Sequence, residues 1–129
     1  MVVTVEITPD GKVTEMSSEE ADAQKGERIY SGAALNAPEH WEHNQYRLTM
    51  TMPDTFDYDE DDMNVLATTI YRCVLSGDYM PDDIIFGTVY IANETFDNII
   101  NFTKADLTYS CKQVFKKRTL RNDLKTYRI

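Results

Sequence analysis

The sequence contains only two cysteines, five glycines and four prolines among its 129 residues, and it has no long apolar run. Two cysteines, Cys73 and Cys111, are too few for a disulfide scaffold. So little glycine and proline excludes collagen-like and proline-rich chains, and no stretch approaches the ~20 consecutive apolar residues of a membrane span. The first residues do not resemble a secretory signal. We therefore expect a single domain over residues 1–129 in a reducing compartment such as the cytoplasm.

The sequence also lacks the short motifs that carry catalysis. It contains no Gly-x-Ser-x-Gly for an activated serine, and no Gly-x-Gly-x-x-Gly or Gly-Lys-Ser/Thr for a nucleotide. Asp57 to Asp61 resemble the start of a calcium loop, but Asp62 and Thr68 stand where that loop needs glycine and glutamate. We therefore expect neither an enzyme nor a bound metal or cofactor.

The two histidines, His40 and His43, leave a small metal-dependent enzyme open as an alternative. On a helix, their spacing would put both imidazoles on one face, where they could fill two positions of a zinc tetrahedron. Neither cysteine belongs to a Cys-x-x-Cys pair that would complete the ligand set. We expect surface histidines, with an acid–base pair to Glu39 or Glu42 as a further alternative.

The charged side chains are numerous and unevenly distributed. Twenty-two acidic residues against thirteen basic ones give a net charge of −9. Residues 1–103 hold 20 acids and five bases, whereas residues 104–129 hold two acids and eight bases. The pattern predicts an acidic body with a basic C-terminal segment. Such a body repels nucleic acid at long range and attracts basic protein surfaces.

The densest acidic stretch predicts a docking surface for a basic macromolecular partner, with two aromatic residues as anchors. The predicted surface comprises Asp54, Phe56, Asp57, Tyr58, Asp59, Glu60, Asp61, Asp62, Asp78, Asp82 and Asp83. If residues 54–62 were extended, one carboxylate would follow another every ~5 Å, roughly two-thirds of the density of phosphates along one DNA strand, which are ~3.4 Å apart. We therefore expect a non-catalytic interaction protein, and more specifically an inhibitor of a nucleic-acid-handling enzyme. Phage-type anti-defence proteins, including anti-CRISPR-like nucleic-acid mimics, are one class of this size and acidity.

The basic C-terminal segment supports a second hypothesis, a nucleic-acid-binding accessory protein. Its basic patch would comprise Lys112, Lys116, Lys117, Arg118, Arg121, Lys125 and Arg128. The same patch could instead neutralise the acidic body. The sequence also allows a homodimer, formed through an exposed strand edge or through the Tyr/Met face of residues 46–52.

Hydrophobic periodicity predicts an α+β fold, with a mainly antiparallel sheet of about four or five strands and two or three helices packed on it. The predicted strands span residues 2–7, 12–16, 46–52, 84–92 and, slightly favoured over helix, 106–117. The predicted helices are a short one capped by Ser17 or Ser18, residues 61–76 ending before Gly77, residues 95–103, and a basic helix or tail in residues 118–129. Residues 17–45 otherwise look irregular, and we expect local binding activity there.

Overall fold

The computed structural model describes residues 1–53, 59–75 and 84–117, and within them it has the predicted α+β class. These residues form six strands, more than the four or five predicted: β1 Val3–Ile7, β2 Val13–Ser17, β3 Arg28–Asn36, β4 Gln45–Met52, β5 Val89–Thr95 and β6 Asn98–Ile100. The helices are α1 Ser18–Gln24, α2 Val65–Ile70 and α3 Lys104–Lys117, with a 3-10 helix Glu60–Asp62 and a π-helical turn Tyr71–Leu75. None of the helices in this part of the chain is long and apolar enough to cross a bilayer.

The sheet is antiparallel at every pairing, in the order β2-β1-β5-β4-β3, with β6 added beside the last residues of β5. The predicted hairpin of β1 and β2 is confirmed, with Ile7 opposite Val13. Gly11 adopts a positive φ of 86° in its turn, which glycine does without steric cost. Strand β5 is central and largely buried, as predicted, although it begins at Val89 and runs on to Thr95.

The two ends of the sheet carry different loops. We call one end the Ile7 end, because Ile7 pairs there with Val89 at the start of β5. Met52, the last residue of β4, lies at the same end, since β4 runs antiparallel to β5. The other end is the Thr95 end, where β5 turns into β6 and where β4 begins.

The main core lies between one face of the sheet and the helices α2 and α3. Tyr46, Leu48, Met50 and Met52 of β4 belong to this core, packed with residues of β1, β5, α2, the π-helical turn and α3. The alternation in residues 46–52 therefore predicted a half-buried strand correctly. The suggestion that this Tyr/Met face mediates a homodimer is wrong, because the face is already covered within the chain.

The opposite face of the sheet is more polar and is partly covered by α1. Ala21 of α1 is buried, and the Tyr90 hydroxyl donates towards Glu6 Oε2 at 3.0 Å and Gln24 Oε1 at 3.2 Å. Burial, with a smaller effect from the Glu6 carboxylate, raises the pKa of Tyr90 to about 12. Ser17 caps α1 as predicted, since its hydroxyl accepts from the Glu20 N–H at 3.2 Å.

Two predicted elements in the last third of the chain are wrong. Residues 95–103 are not a helix: the chain turns at Phe96 and Asp97 and returns as β6. Residues 106–117 are helical rather than extended, because Thr103 and Asp106 form a capping box that starts α3. Leu107, Ser110 and Cys111 are buried at three- and four-residue steps, as a helix requires.

The predicted helix over residues 61–76 and the irregular segment 17–45 are each right in part. Helix α2 begins only at Val65, and the chain continues to Leu75 as a π-helical turn. Gly77, its predicted end, lies outside the described residues, as does the predicted element in residues 118–129. Within residues 17–45, the nine-residue strand β3 pairs with β4 through seven of its residues, with a bulge between Ser31 and Ala34.

Candidate functional site

The predicted acidic surface includes one short element that the structure describes, the segment Asp59–Asp62, which we call the acidic turn. Asp59 caps the 3-10 helix formed by residues 60–62, and its carboxylate accepts from the Asp61 N–H at 3.0 Å. The Asp62 carboxylate accepts from the Asp59 N–H at 3.2 Å. This reciprocal arrangement satisfies two free N–H groups of the turn and fixes its backbone. Asp59, Glu60 and Asp61 are exposed.

The acidic turn is attached to the Ile7 end of the sheet by Asn64, which is fully buried. The Asn64 side-chain amide donates to the carbonyl oxygens of Ile7 at 3.0 Å and Gly87 at 2.8 Å. Its Oδ1 accepts from the Ala67 N–H at 3.0 Å, which caps α2. The Gly87 N–H also donates to the Asp62 carbonyl at 2.7 Å. The last residue of the acidic turn is therefore bonded to Gly87 directly, and Asn64, which follows the turn, is fixed to the sheet by buried hydrogen bonds.

The carboxylates of the acidic turn have no cationic partner among the described residues. The close charged contacts of this part of the chain lie elsewhere: Lys25 pairs with Asp22 at 3.0 Å, and the His40 imidazole lies 3.6 Å from the Asp106 carboxylate. A turn with four carboxylates and no paired cation has an electrostatic potential that attracts positive charge.

The predicted spacing of these carboxylates is wrong for residues 60–62. The prediction took the run as extended, but a 3-10 helix rises only ~2.0 Å per residue and points successive side chains in three directions. The charges are therefore clustered around one turn rather than set along a line. This arrangement does not reproduce the even spacing of phosphates on a nucleic-acid strand.

Most other predicted binding residues lie outside the described residues. These are Asp54, Phe56, Asp57, Tyr58, Asp78, Asp82 and Asp83 of the acidic surface, and Arg118, Arg121, Lys125 and Arg128 of the basic patch. Lys112 is exposed on α3, and Lys116 and Lys117 form the end of that helix.

The two histidines do not lie on a helix, and they do not face a common point. Both belong to the loop that joins β3 to β4, where the His40 imidazole pairs with Asp106 of α3 at 3.6 Å. The His43 ring instead contacts Trp41 and Phe96, with ring centroids 4.8 Å and 5.2 Å apart. In the described part of the chain, no three His, Cys, Asp or Glu side chains are grouped closely enough to hold a metal ion.

A second candidate site, which the sequence did not predict, lies at the Thr95 end of the sheet. We call it the end cleft: an open cleft of about 900 Å³ between the β3–β4 loop and the β5–β6 turn. Its lining includes Glu42, His43, Arg47, Glu94, Phe96 and Asp97. Three carboxylates and one guanidinium thus line the cleft together with the rings of His43, Tyr46 and Phe96.

The aromatic side of the end cleft is built as a chain of edge contacts. Phe96 meets His43, His43 meets Trp41, and Trp41 meets the buried Tyr46 at 5.6 Å between ring centroids. Tyr46 anchors this chain to the core, because its hydroxyl is hydrogen-bonded to Ser110 of α3. Burial raises the pKa of Tyr46 to about 12. Phe96, at the outer end, is 73% exposed.

The β5–β6 turn holds Phe96 in an uncommon backbone conformation. Phe96 has a φ of 55° and Asp97 a φ of 62°, and neither is a glycine. Two successive positive φ values are typical of the two-residue hairpin turn that usually contains Asn-Gly. A bulky residue in this region costs about 1 kcal/mol or more. The fold thus keeps a large apolar side chain in the solvent at a position where a small polar one would be favoured.

Sequence reasoning missed the end cleft because its walls come from residues about fifty positions apart. The sequence did contain one indication, since Thr103-Lys-Ala-Asp106 is a capping pattern. Starting a helix at that point would have placed Phe96 in a turn rather than in a helix. The expectation of local binding in residues 17–45 included the Glu42 and His43 side of the cleft. Comparisons of the chain with protein-family models, curated proteins and solved structures find no match.

Proposed function

We propose that this protein acts by binding rather than by catalysis, and that the acidic turn docks onto a basic surface of a macromolecular partner. The observation that carries the proposal is that the carboxylates of the acidic turn are clustered without a paired cation in the part of the chain that the structure describes. They lie together at the surface, and no lysine or arginine of the described residues pairs with them. A partner that contributes lysine or arginine supplies the counter-charges and forms charge-assisted hydrogen bonds.

The attachment of the turn supports the same proposal. Because Asn64 and the capping box already fix the backbone, docking does not have to order this segment. Less ordering cost leaves more of the interaction free energy as affinity. Asp10, in the β1–β2 turn that follows Ile7, adds a further exposed carboxylate at the same end of the sheet. The Thr8 hydroxyl, and next the Lys12 N–H, keep the pKa of Asp10 below its usual value.

The partner class that fits is a protein with a basic, nucleic-acid-binding surface, and the specific form of the proposal is inhibition of a nucleic-acid-handling enzyme. In this form, the acidic turn occupies part of a groove that otherwise holds phosphates. A compact carboxylate cluster suits two or three basic side chains at one point of such a groove. It blocks one point of the groove and does not imitate a length of nucleic-acid strand.

The test is affinity capture from native cell extract with three forms of the full chain as bait. The first is the unaltered protein, and the second carries Asp59→Asn, Asp61→Asn and Asp62→Asn, which remove charge but keep side-chain oxygens for the caps. The matched control removes three exposed charges elsewhere: Glu19→Gln, Glu20→Gln and Glu39→Gln.

We expect the unaltered protein and the control to retain the same basic proteins, and the acidic-turn variant to lose them. Retention should also fall between about 50 and 500 mM salt, because exposed charge pairs are screened over that range. Inhibition of a captured nuclease or polymerase by the purified protein then tests the specific form. Proteins that bind the acidic-turn variant as well as they bind the control would contradict the docking proposal.

A further inference from the structure

We propose that the end cleft is a second binding site, and that its ligand is an arginine side chain presented by a partner protein. The site combines an exposed aromatic ring at the mouth of a cleft with an excess of carboxylates around it. It lies at the Thr95 end of the sheet, whereas the acidic turn lies at the Ile7 end. The proposal therefore stands on residues other than those of the proposed function.

The aromatic contribution comes from Phe96. Its side chain is 73% exposed and contacts the His43 ring, so most of its surface remains open to a ligand. A guanidinium group placed over an aromatic face within about 6 Å of its centre is attracted by the ring's quadrupole. The row of rings from His43 to the buried Tyr46 supports Phe96 from behind.

The charge in the cleft selects a cation. Glu42, Glu94 and Asp97 line the cleft with one fixed cation, Arg47. Extending the β4–β5 register from Leu48 opposite Asn93 places Arg47 opposite Glu94. Arg47 therefore offsets one carboxylate, and two negative charges remain, one on each arm of the cleft. None of these three carboxylates forms an ion pair with a lysine or arginine in the described parts of the chain.

Arginine fits this combination better than lysine does. Its guanidinium is planar, stacks on aromatic faces and presents several N–H donors to carboxylates, whereas an ammonium group is a compact, strongly hydrated charge. Glu42 lies on the β3–β4 arm of the cleft and Asp97 on the β5–β6 arm, so a planar donor bound between the arms would have a carboxylate on each side. The β5–β6 turn fixes Phe96 and Asp97 as neighbours in this arrangement.

The experiment is a titration of the isotope-labelled full chain, followed by backbone amide chemical shifts at about 150 mM salt, where long-range charge effects are screened. Three end-capped peptides serve as probes: tri-arginine, tri-lysine and tri-citrulline, the last being a neutral counterpart of arginine. We expect tri-arginine to shift the amides of His43, Phe96 and Asp97. Tri-lysine should bind at least about fivefold more weakly there, and tri-citrulline should leave these amides unchanged.

Two variants test the roles of the ring and of the charges. Phe96→Asn removes the ring and suits a positive φ, so it should fold and lose tri-arginine binding. Tyr109→Gln, on the exposed side of α3, is the matched loss of an aromatic and should bind normally. The double variant Glu42→Gln, Asp97→Asn should weaken binding about tenfold, whereas Glu19→Gln, Glu20→Gln should not.

The outcomes separate this proposal from the proposed function. Shifts confined to Asp59–Asp62, equal binding of tri-arginine and tri-citrulline, or full binding by Phe96→Asn would each overturn the arginine site and leave the acidic turn unaffected. Conversely, if the acidic-turn variant captures the same proteins as the control does, the docking proposal fails and the arginine site at Phe96 is unaffected.

Discussion

At the scale of single residues, Asn64 connects three parts of the chain with one side chain. It caps α2, holds the carbonyl of Ile7 at the end of β1, and holds the carbonyl of Gly87 ahead of β5. Because the residue is fully buried, removing the amide leaves these backbone groups without their present partners inside the protein. The acidic turn directly precedes it, so the position of the four carboxylates depends on this one amide.

We expect Asn64→Ala to lower the free energy of unfolding by about 2–4 kcal/mol. The loss combines about 1 kcal/mol for the cap with about 1–3 kcal/mol for buried carbonyls left without donors. Urea unfolding followed by circular dichroism measures it. Asn44→Ala, at an exposed position, should change stability by less than about 0.5 kcal/mol. Equal urea midpoints for the two variants would contradict the role given to Asn64.

Tyr46 should make stability fall at high pH. The Ser110 hydroxyl donates to the Asp106 carbonyl at 2.9 Å, so the Tyr46 hydroxyl must be the donor to Ser110. The pKa of Tyr46 is about 12 in the folded chain, above the ~10 of an unfolded one, so the folded state holds the proton more tightly. Its contribution to stability is complete below pH ~10 and is lost as the pH rises towards ~12.

The expected loss is roughly 2–3 kcal/mol between pH ~10 and ~12, since each pH unit in this window changes the free energy by ~1.4 kcal/mol. Urea unfolding at several pH values measures it in the unaltered protein and in Tyr46→Phe. The variant should lose less stability over this window, although burial of Tyr90 gives both proteins a decrease in the same direction. Tyr109→Phe, at an exposed tyrosine, should behave like the unaltered protein. Parallel pH profiles for all three would exclude this role of Tyr46.

At the scale of elements, introducing glycine in the β5–β6 turn and removing it from the β1–β2 turn should have opposite effects on stability. Replacing Phe96-Asp97 with Asn-Gly should raise stability by about 1 kcal/mol, because both new residues accept a positive φ readily. Replacing Gly11 with Ala should lower stability by a similar amount, because the φ of 86° at this position disfavours a side chain. The loss is expected even though open space surrounds the position. Thermal unfolding of the two variants should shift by a few degrees in opposite directions. A lower melting temperature for the Asn-Gly variant would show that the Phe96 conformation is not strained.

The elements differ in how far the sequence predicts them, and the reasons are local. Strand β4 was predicted because its apolar residues alternate without interruption, and the β1–β2 hairpin because its turn contains Pro-Asp-Gly. Strand β3 was missed because a bulge between Ser31 and Ala34 breaks its alternation and its middle is made of small residues. At Gly32, a Cβ atom would lie 2.5 Å from the Leu75 carbonyl oxygen, so close packing rather than hydrophobic pattern determines that residue.

The two candidate sites also differ in how far the sequence predicts them. The acidic turn could be predicted because its charges are consecutive in the sequence, although their geometry could not, because a run of charges does not by itself distinguish an extended segment from a 3-10 turn. The end cleft could not be predicted because it requires the β4–β5 register, which brings Arg47 and Glu94 together. Phe96 in particular does not resemble a turn residue.

At the scale of the whole molecule, the net charge of −9 should give stability and binding opposite responses to salt. Repulsion among the excess carboxylates destabilises the compact state, so screening raises the melting temperature. The same screening weakens docking of a basic partner. We expect the melting temperature to rise from about 20 to 200 mM salt, and to rise less in the acidic-turn variant, whose net charge is closer to zero. A melting temperature that falls with salt would indicate that internal ion pairs dominate instead.

The seven residues of β5 set the distance between the acidic turn and the end cleft. At ~3.3 Å per residue, the strand holds the two apart by about 20 Å. A bivalent ligand that engages both must therefore carry its two cationic groups on a tether of at least that reach. Shorter tethers gain nothing from the second contact, whereas one of matching length raises the effective local concentration and with it the avidity.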